Sequence, residues 1–145
     1  MAVDVVTSCT IERAREAVAA YASDPNNAPA WYVNIKSVTW KSAPPLAVGS
    51  MIAFVAEFLG RRLEYTYEVV EFEPGQSFVM RTAQGPFPME TTYRWEALGP
   101  SRTRMTLRNR GAPSGFSALL APLMSLAMRQ ANTQDLKRLK AILEA

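Results

Sequence analysis

Residues 52–69 read IAFVAEFLGRRLEYTYEV, two runs of period two that meet at Gly60-Arg61. A two-residue turn there pairs Phe58 with Leu63, Ala56 with Tyr65, Phe54 with Tyr67 and Ile52 with Val69, and every pair is apolar or aromatic. The opposite face carries Glu57, Glu64, Thr66 and Glu68. The hairpin therefore belongs to a sheet with one dry and one wet side, since a one-residue slip would exchange the two sets.

The same division repeats downstream. Met89, Thr91, Tyr93 and Trp95 alternate with Glu90, Thr92, Arg94 and Glu96, and Met105 and Leu107 alternate with Arg104, Thr106, Arg108 and Arg110. Turn signals at Pro44-Pro45, Gly49, Gly60, Pro74-Gly75, Gly85-Pro86 and Gly99-Pro100 divide residues 33–110 into six strands. No helical segment separates them, so the spacing predicts an antiparallel meander. Upstream, Ala2 to Cys9 reads as a further strand, and Thr10 as the N-cap of a helix over Ile11 to Ala22 with Ile11, Ala14, Val18 and Tyr21 on one face. Asp24-Pro25-Asn26-Asn27 stops that helix and starts a second short one ending near Trp31-Tyr32. After Gly111-Ala112-Pro113 the period becomes helical over residues 115–143, with Phe116, Leu120, Leu123, Met124, Ala127, Ala131, Leu136, Leu139 and Leu143 as a drifting apolar stripe. Pro122 inside that pattern predicts a kink near residues 118–122.

With 145 residues, 48% hydrophobic and 20% charged, the chain is expected to fold as one domain over residues 1–145. There is no histidine, and Cys9 is the one cysteine. Histidine triads, mixed Cys/His zinc sites, disulfide frameworks and iron–sulfur clusters are thereby excluded, and no metal or cofactor is expected. The net charge of +3 is spread without runs and does not call for nucleic acid. The first ten residues lack a signal-peptide pattern, and Phe116 to Met128, the longest apolar stretch, is too short to span a membrane. A cytoplasmic location follows as the expectation, in keeping with a lone thiol.

The order strand, two short helices, six antiparallel strands and long C-terminal helix resembles the START-like (SRPBCC) superfamily, and within it the polyketide cyclase/dehydrase-like group. The stretches that carry the likeness are Ser23-Asp24-Pro25 through Trp31, Val48-Gly49-Ser50, Gly60-Arg61-Arg62 and Tyr67-Glu68-Val69-Val70-Glu71-Phe72-Glu73-Pro74. Gly85-Pro86-Phe87-Pro88 and Asp135-Leu136-Lys137-Arg138-Leu139-Lys140 add to them, so that the likeness covers nearly the whole chain. The resemblance implies an α+β helix-grip fold of about seven strands curved around the C-terminal helix, with an apolar cavity between. It also implies binding of lipids, sterols, polyketides, quinones or plant hormones, and in a minority of members cyclisation or dehydration. Independently of the resemblance, one helix about 10 Å across cannot fill the inside of such a sheet.

The expected ligand-binding set is Phe54, Ala56, Phe58, Tyr65, Tyr67, Met80, Met89, Tyr93, Trp95, Leu120, Met124 and Met128, with Trp31, Tyr32 and Phe87 as a rim at the cavity mouth. The alternative for this set is plain core; the many methionines and the tyrosine hydroxyls weigh towards a pocket. Asn109 is the one polar residue that the alternation turns inward. Arg81, Arg94, Arg104, Arg108 and Arg110 share the outer face with Glu64, Glu68, Glu90 and Glu96, which makes a solvated surface of mixed charge. No catalytic constellation is legible: there is no G-x-S-x-G elbow, phosphate loop or dinucleotide motif. Three readings follow: a carrier of a small hydrophobic ligand, a cyclase or dehydratase acting in the same cavity, and a chaperone-associated interaction module. Homodimerisation is left open. A buried carboxyl or arginine in the cavity with a strongly shifted pKa would favour the enzyme, and a lining of apolar groups and hydroxyls alone would favour the carrier.

Overall fold

In the meander each strand finds its partner in the next along the chain, so little chain is spent on connections. The computed structural model describes residues 3–58, 60–85, 88–111 and 121–145. Its strands are β1 (Val3–Ile11), β2 (Ile35–Trp40), β3 (Met51–Phe58), β4 (Arg61–Glu73), β5 (Ser77–Gln84), β6 (Met89–Gly99) and β7 (Arg102–Gly111). Helix α1 (Arg15–Ser23), a 3₁₀ turn (Pro25–Asn27) and helix α2 (Ala28–Trp31) precede β2, and helix α3 (Ala121–Glu144) follows β7. The seven-stranded sheet has the order β1-β7-β6-β5-β4-β3-β2, antiparallel throughout, with β1 returned beside β7. It curves around α3 in the helix-grip arrangement.

The faces are as the alternation predicts, but the β3–β4 register is not. Phe58 pairs with Arg61, Ala56 with Leu63, Phe54 with Tyr65 and Ile52 with Tyr67, so the turn closes one residue earlier than expected. Gly60 takes the positive φ of 76° that such a turn demands, as its second residue. The ladder consequently shifts by two residues, a full side-chain period, and every side chain keeps its face.

Two further expectations are corrected. Thr10 does not cap a helix: it pairs with Arg104, and Ile11 pairs with Thr103, so β1 runs on where ladder hydrogen bonds and the complete burial of Ile11 hold it. Helix α1 begins only at Arg15, with Ala14 at its N-cap and no side-chain cap. On α3, Leu123 is 60% exposed while Met124 is buried. One residue is a rotation of about 100° on a helix, which turns Leu123 off the sheet-facing stripe. The expected start of the last helix at 115, the greater part of the kink region 118–122, and Phe87, Phe116 and Leu120 lie outside the described residues.

The core joins Ile11, Trp31, Ile52, Val69, Phe78, Met105 and Leu107 to Leu136, Leu139 and Leu143 of α3. The C-terminal end of α3 is also tied by polar bonds: Arg13 Nη1 donates to the Leu143 carbonyl at 2.7 Å, and the Glu12 N–H donates to Glu144 Oε2 at 2.8 Å. Along the outer edge of β1, Arg129 Nη1 donates to the Val6 carbonyl at 3.0 Å and Lys140 Nζ to the Thr10 carbonyl at 2.7 Å. On the convex face, Arg81 and Arg110 share Glu90, and Arg108 pairs with Asp4. Among the described residues no helix is long and apolar enough to cross a membrane.

The contrast along α3 can be measured. Leu139→Ala should cost about 2–5 kcal/mol in denaturant unfolding, as a cavity in a close-packed core does. Leu123→Ala should stay within about 0.5 kcal/mol of the parent. Equal losses would contradict the observed rotation of the helix.

Candidate functional site

The C-terminal half of α3 is pressed into the core through Leu136, Leu139 and Leu143, whereas its N-terminal half rests on β1, where Met124 packs with Val3 and Val5. Between that half and the concave face lies a pocket of about 140 Å³. Strands β3 to β6 supply Phe54, Ala56, Phe58, Leu63, Tyr65, Tyr67, Met80, Met89, Thr91 and Tyr93, β7 supplies Asn109, and the α2–β2 connection and β2 supply Tyr32, Asn34 and Ile35. Helix α3 supplies Met124, Met128, Ala131, Asn132 and Asp135. These last positions recur at intervals of three and four, so they fall along one face of the helix.

Eleven of the residues expected from sequence line this pocket: Tyr32, Phe54, Ala56, Phe58, Tyr65, Tyr67, Met80, Met89, Tyr93, Met124 and Met128. Trp31 and Trp95 do not. Trp31 is wholly buried in the core beneath Tyr32, with ring centroids 4.2 Å apart, and Trp95 is buried with its Nε1 donating to Met105 Sδ at 3.3 Å. The concave face is longer than the pocket, and α1 packs over β6 and β7 and covers the part where Trp95 lies. Phe87 and Leu120 fall outside the described residues.

The polar lining is concentrated. The Tyr32 and Tyr93 hydroxyls share a hydrogen bond of 2.6 Å, and Thr91 Oγ1 donates to Asn109 Oδ1 at 2.6 Å. Tyr67 turns its hydroxyl to Thr82 and Thr91. Burial pushes the Tyr67 phenol up to about 12 and holds those of Tyr32 and Tyr93 well above their ordinary value, so all three stay neutral donors. Asp135 is 2% exposed, and its Oδ1 accepts from the Val33 N–H at 2.8 Å. Desolvation raises its carboxyl to about 7, against the lowering pull of that hydrogen bond and of the Arg138 charge. Beside it, Asn132 is buried and its Nδ2 has no hydrogen-bond partner.

Asp135 and Asn132 escaped the sequence reading because they follow an apolar run and look like its soluble flank. The helical spacing from Met124 through Met128 and Ala131 was the available signal, since it leads to residue 135. No group of three Cys, Asp or Glu side chains among the described residues could hold a metal ion.

The sequence profile of a family described as polyketide cyclase/dehydrase and lipid transport matches residues 2–144. No match was found among curated protein sequences. Similar solved structures include a START superfamily protein from Mycobacterium smegmatis, with a TM-score of 0.84 at 16% identity, covering 97% of each chain. Another is the Zhui aromatase/cyclase from a Streptomyces species, with a TM-score of 0.82 at 12% identity, covering 99% of this chain and 94% of that one. A third is major latex-like protein 151 of Panax ginseng, with a TM-score of 0.76 at 12% identity over 99% of both. At such identities the likeness is one of fold.

The raised Asp135 carboxyl has a thermodynamic consequence. Its folded pKa lies above the unfolded one, so its contribution to stability is complete below about pH 4 and is lost as pH rises through about 7. Asp135→Asn keeps an acceptor for the Val33 N–H and removes the charge. Unfolding measured across this range should lose most of that slope, with the variant more stable than the parent by about 2–4 kcal/mol at pH 8. A variant with the parent's pH profile would show that the carboxyl ionises freely.

Proposed function

This chain belongs to the polyketide cyclase/dehydrase and lipid transport family, and on that premise we propose that it binds one small, largely apolar molecule, of lipid, quinone or polyketide type, between the sheet and α3. The observation that carries the proposal is the lining: Phe54, Phe58, Met80, Met89, Met124 and Met128 present aromatic faces and thioethers to unfilled space. An apolar cavity of about 150 Å³ stays dry and accepts a molecule the size of one aromatic ring. Methionine has three rotatable bonds and a polarisable sulfur, so four such side chains can repack around a larger guest.

Titration with the neutral apolar fluorophore N-phenyl-1-naphthylamine tests this. Binding should saturate at about one equivalent and raise Tm by mass action. Binding by denatured protein alone would overturn the proposal. Ala56→Leu separates pocket from core. In a close-packed site the extra three carbons would cost about 1–3 kcal/mol, whereas here they enter empty space and gain on the order of 25 cal/mol per Å² buried. Stability should be unchanged or raised, and fluorophore binding weakened several-fold. Lost stability with intact binding would place Ala56 in the core.

One observation favours a second reading, an enzyme of cyclase or dehydratase type. A carboxyl with a pKa of about 7 facing the Tyr32 and Tyr93 hydroxyls can take and return a proton near neutrality. On that reading Asp135→Asn abolishes turnover of a poly-β-ketone while leaving fluorophore affinity within twofold; undiminished turnover would dismiss it.

A further inference from the structure

The pocket has a direction. Along α3 its lining passes from Met124 and Met128, through Ala131, to Asn132 and Asp135. Phe58 and Met128 pack with Leu63, Tyr65 and Met89 at the first end, and Val33, Tyr32 and Tyr93 meet Asp135 at the second. One end is thus largely apolar, the Tyr65 hydroxyl apart, and the other polar, and the polar end is incompletely satisfied. Asn132 Nδ2 lacks a partner, and Asp135 offers one oxygen beyond the one held by Val33. Leaving a buried amide donor unpaired is costly, so a guest that supplies an acceptor there is favoured over one that does not.

The lining also has a sign. Among the described residues Asp135 is the one carboxyl that lines it, and no Lys or Arg does. The cation nearest in effect, Arg138, is turned outward to the Ala30 carbonyl at 2.9 Å. An anionic headgroup brought to this end would meet a carboxylate with no buried cation to offset the loss of water.

Resting on the binding reading above, we propose that the pocket takes its guest head-first and selects by charge: an uncharged hydroxyl-bearing head, phenol or enol in kind, is held between Asn132 and Asp135, and carboxylate heads are rejected. The head's O–H donates to the free oxygen of Asp135, its oxygen accepts from Asn132 Nδ2, and the apolar body points to Met124 and Met128. The neutral hydroxyls of Tyr32 and Tyr93 complete the polar wall.

A matched pair of small probes tests the selection. By NMR titration at pH 8, 4-ethylphenol should bind at least tenfold more tightly than 4-ethylbenzoate, which differs at the head alone. Asp135→Asn should narrow that preference to less than threefold. Independently, Asn132→Leu should weaken 4-ethylphenol at least fivefold more than it weakens N-phenyl-1-naphthylamine, which a general disruption would not do. Equal binding of phenol and benzoate by a protein that binds the fluorophore would overturn the charge selection and leave the pocket reading standing. Failure of the phenol and the fluorophore alike would overturn both.

Discussion

A single helix set against seven curved strands cannot cover the apolar surface they present, and the rest of the molecule follows from how that shortfall is distributed. The chain fills one end completely: Leu136, Leu139 and Leu143 sink into the sheet, α1 closes over Trp95, α2 buries its own Trp31, and Arg13 and Glu12 clasp the helix terminus. At the other end α3 rests on Val3 and Val5 of β1 through Met124, and Met124 and Met128 line the pocket beside it. Rigidity and emptiness are thus divided along one helix, and the closed end can supply stability while the open end remains free for a guest.

Asp135 stands at the boundary between the two. Its bond to the Val33 N–H joins α3 to the chain leaving α2, so the carboxyl has a structural reason to be where it is. It is nevertheless an expensive choice, because an asparagine could accept the same bond without the desolvation of a charge. An unnecessary charge next to a pocket, beside a tyrosine pair and an unpartnered amide, is the kind of local inconsistency that functional sites show and plain cores avoid.

Much of this was legible in the sequence, and the misses have physical causes. Period two identified the strands and their faces because a half-buried sheet has no other way to separate Phe54 and Tyr65 from Glu57 and Glu64. It did not fix the register, since a shift of two residues preserves every facing, and the placement of Gly60 within its turn decides between the alternatives. Asn109 was found for the same reason as the strands: alternation turned it inward, where it meets Thr91. The helix was harder. Its stripe is broad, Leu123 and Leu126 are exposed, and the buried Asn132 and Asp135 share its inner face with methionines. An apolar moment averages such a face and hides its polar end. Trp95 is expected in the lining because alternation tells which face a residue occupies, and not which stretch of that face is already covered; Trp31 is expected at the rim as an aromatic of the short helix, and no local pattern records that it lies buried beneath Tyr32.

The treatment of the sheet's two borders sets limits on how copies of this chain could meet. An exposed border strand offers unpaired carbonyls and amides to any passing strand, and proteins blunt such templates. On β1, Arg129 and Lys140 reach from α3 to occupy the carbonyls of Val6 and Thr10, so the helix that grips the inside of the sheet also seals its first border. The second border, β2, has no such cover from α3 among the described residues; it is short, carries Lys36 and is interrupted by a bulge between Ile35 and Ser37. Continuous strand-to-strand assembly through β1 would require both basic side chains to withdraw. A pairing of two copies by sheet extension is therefore confined to the bulged border, where the regular stretch from Ser37 to Trp40 leaves room for only a short ladder.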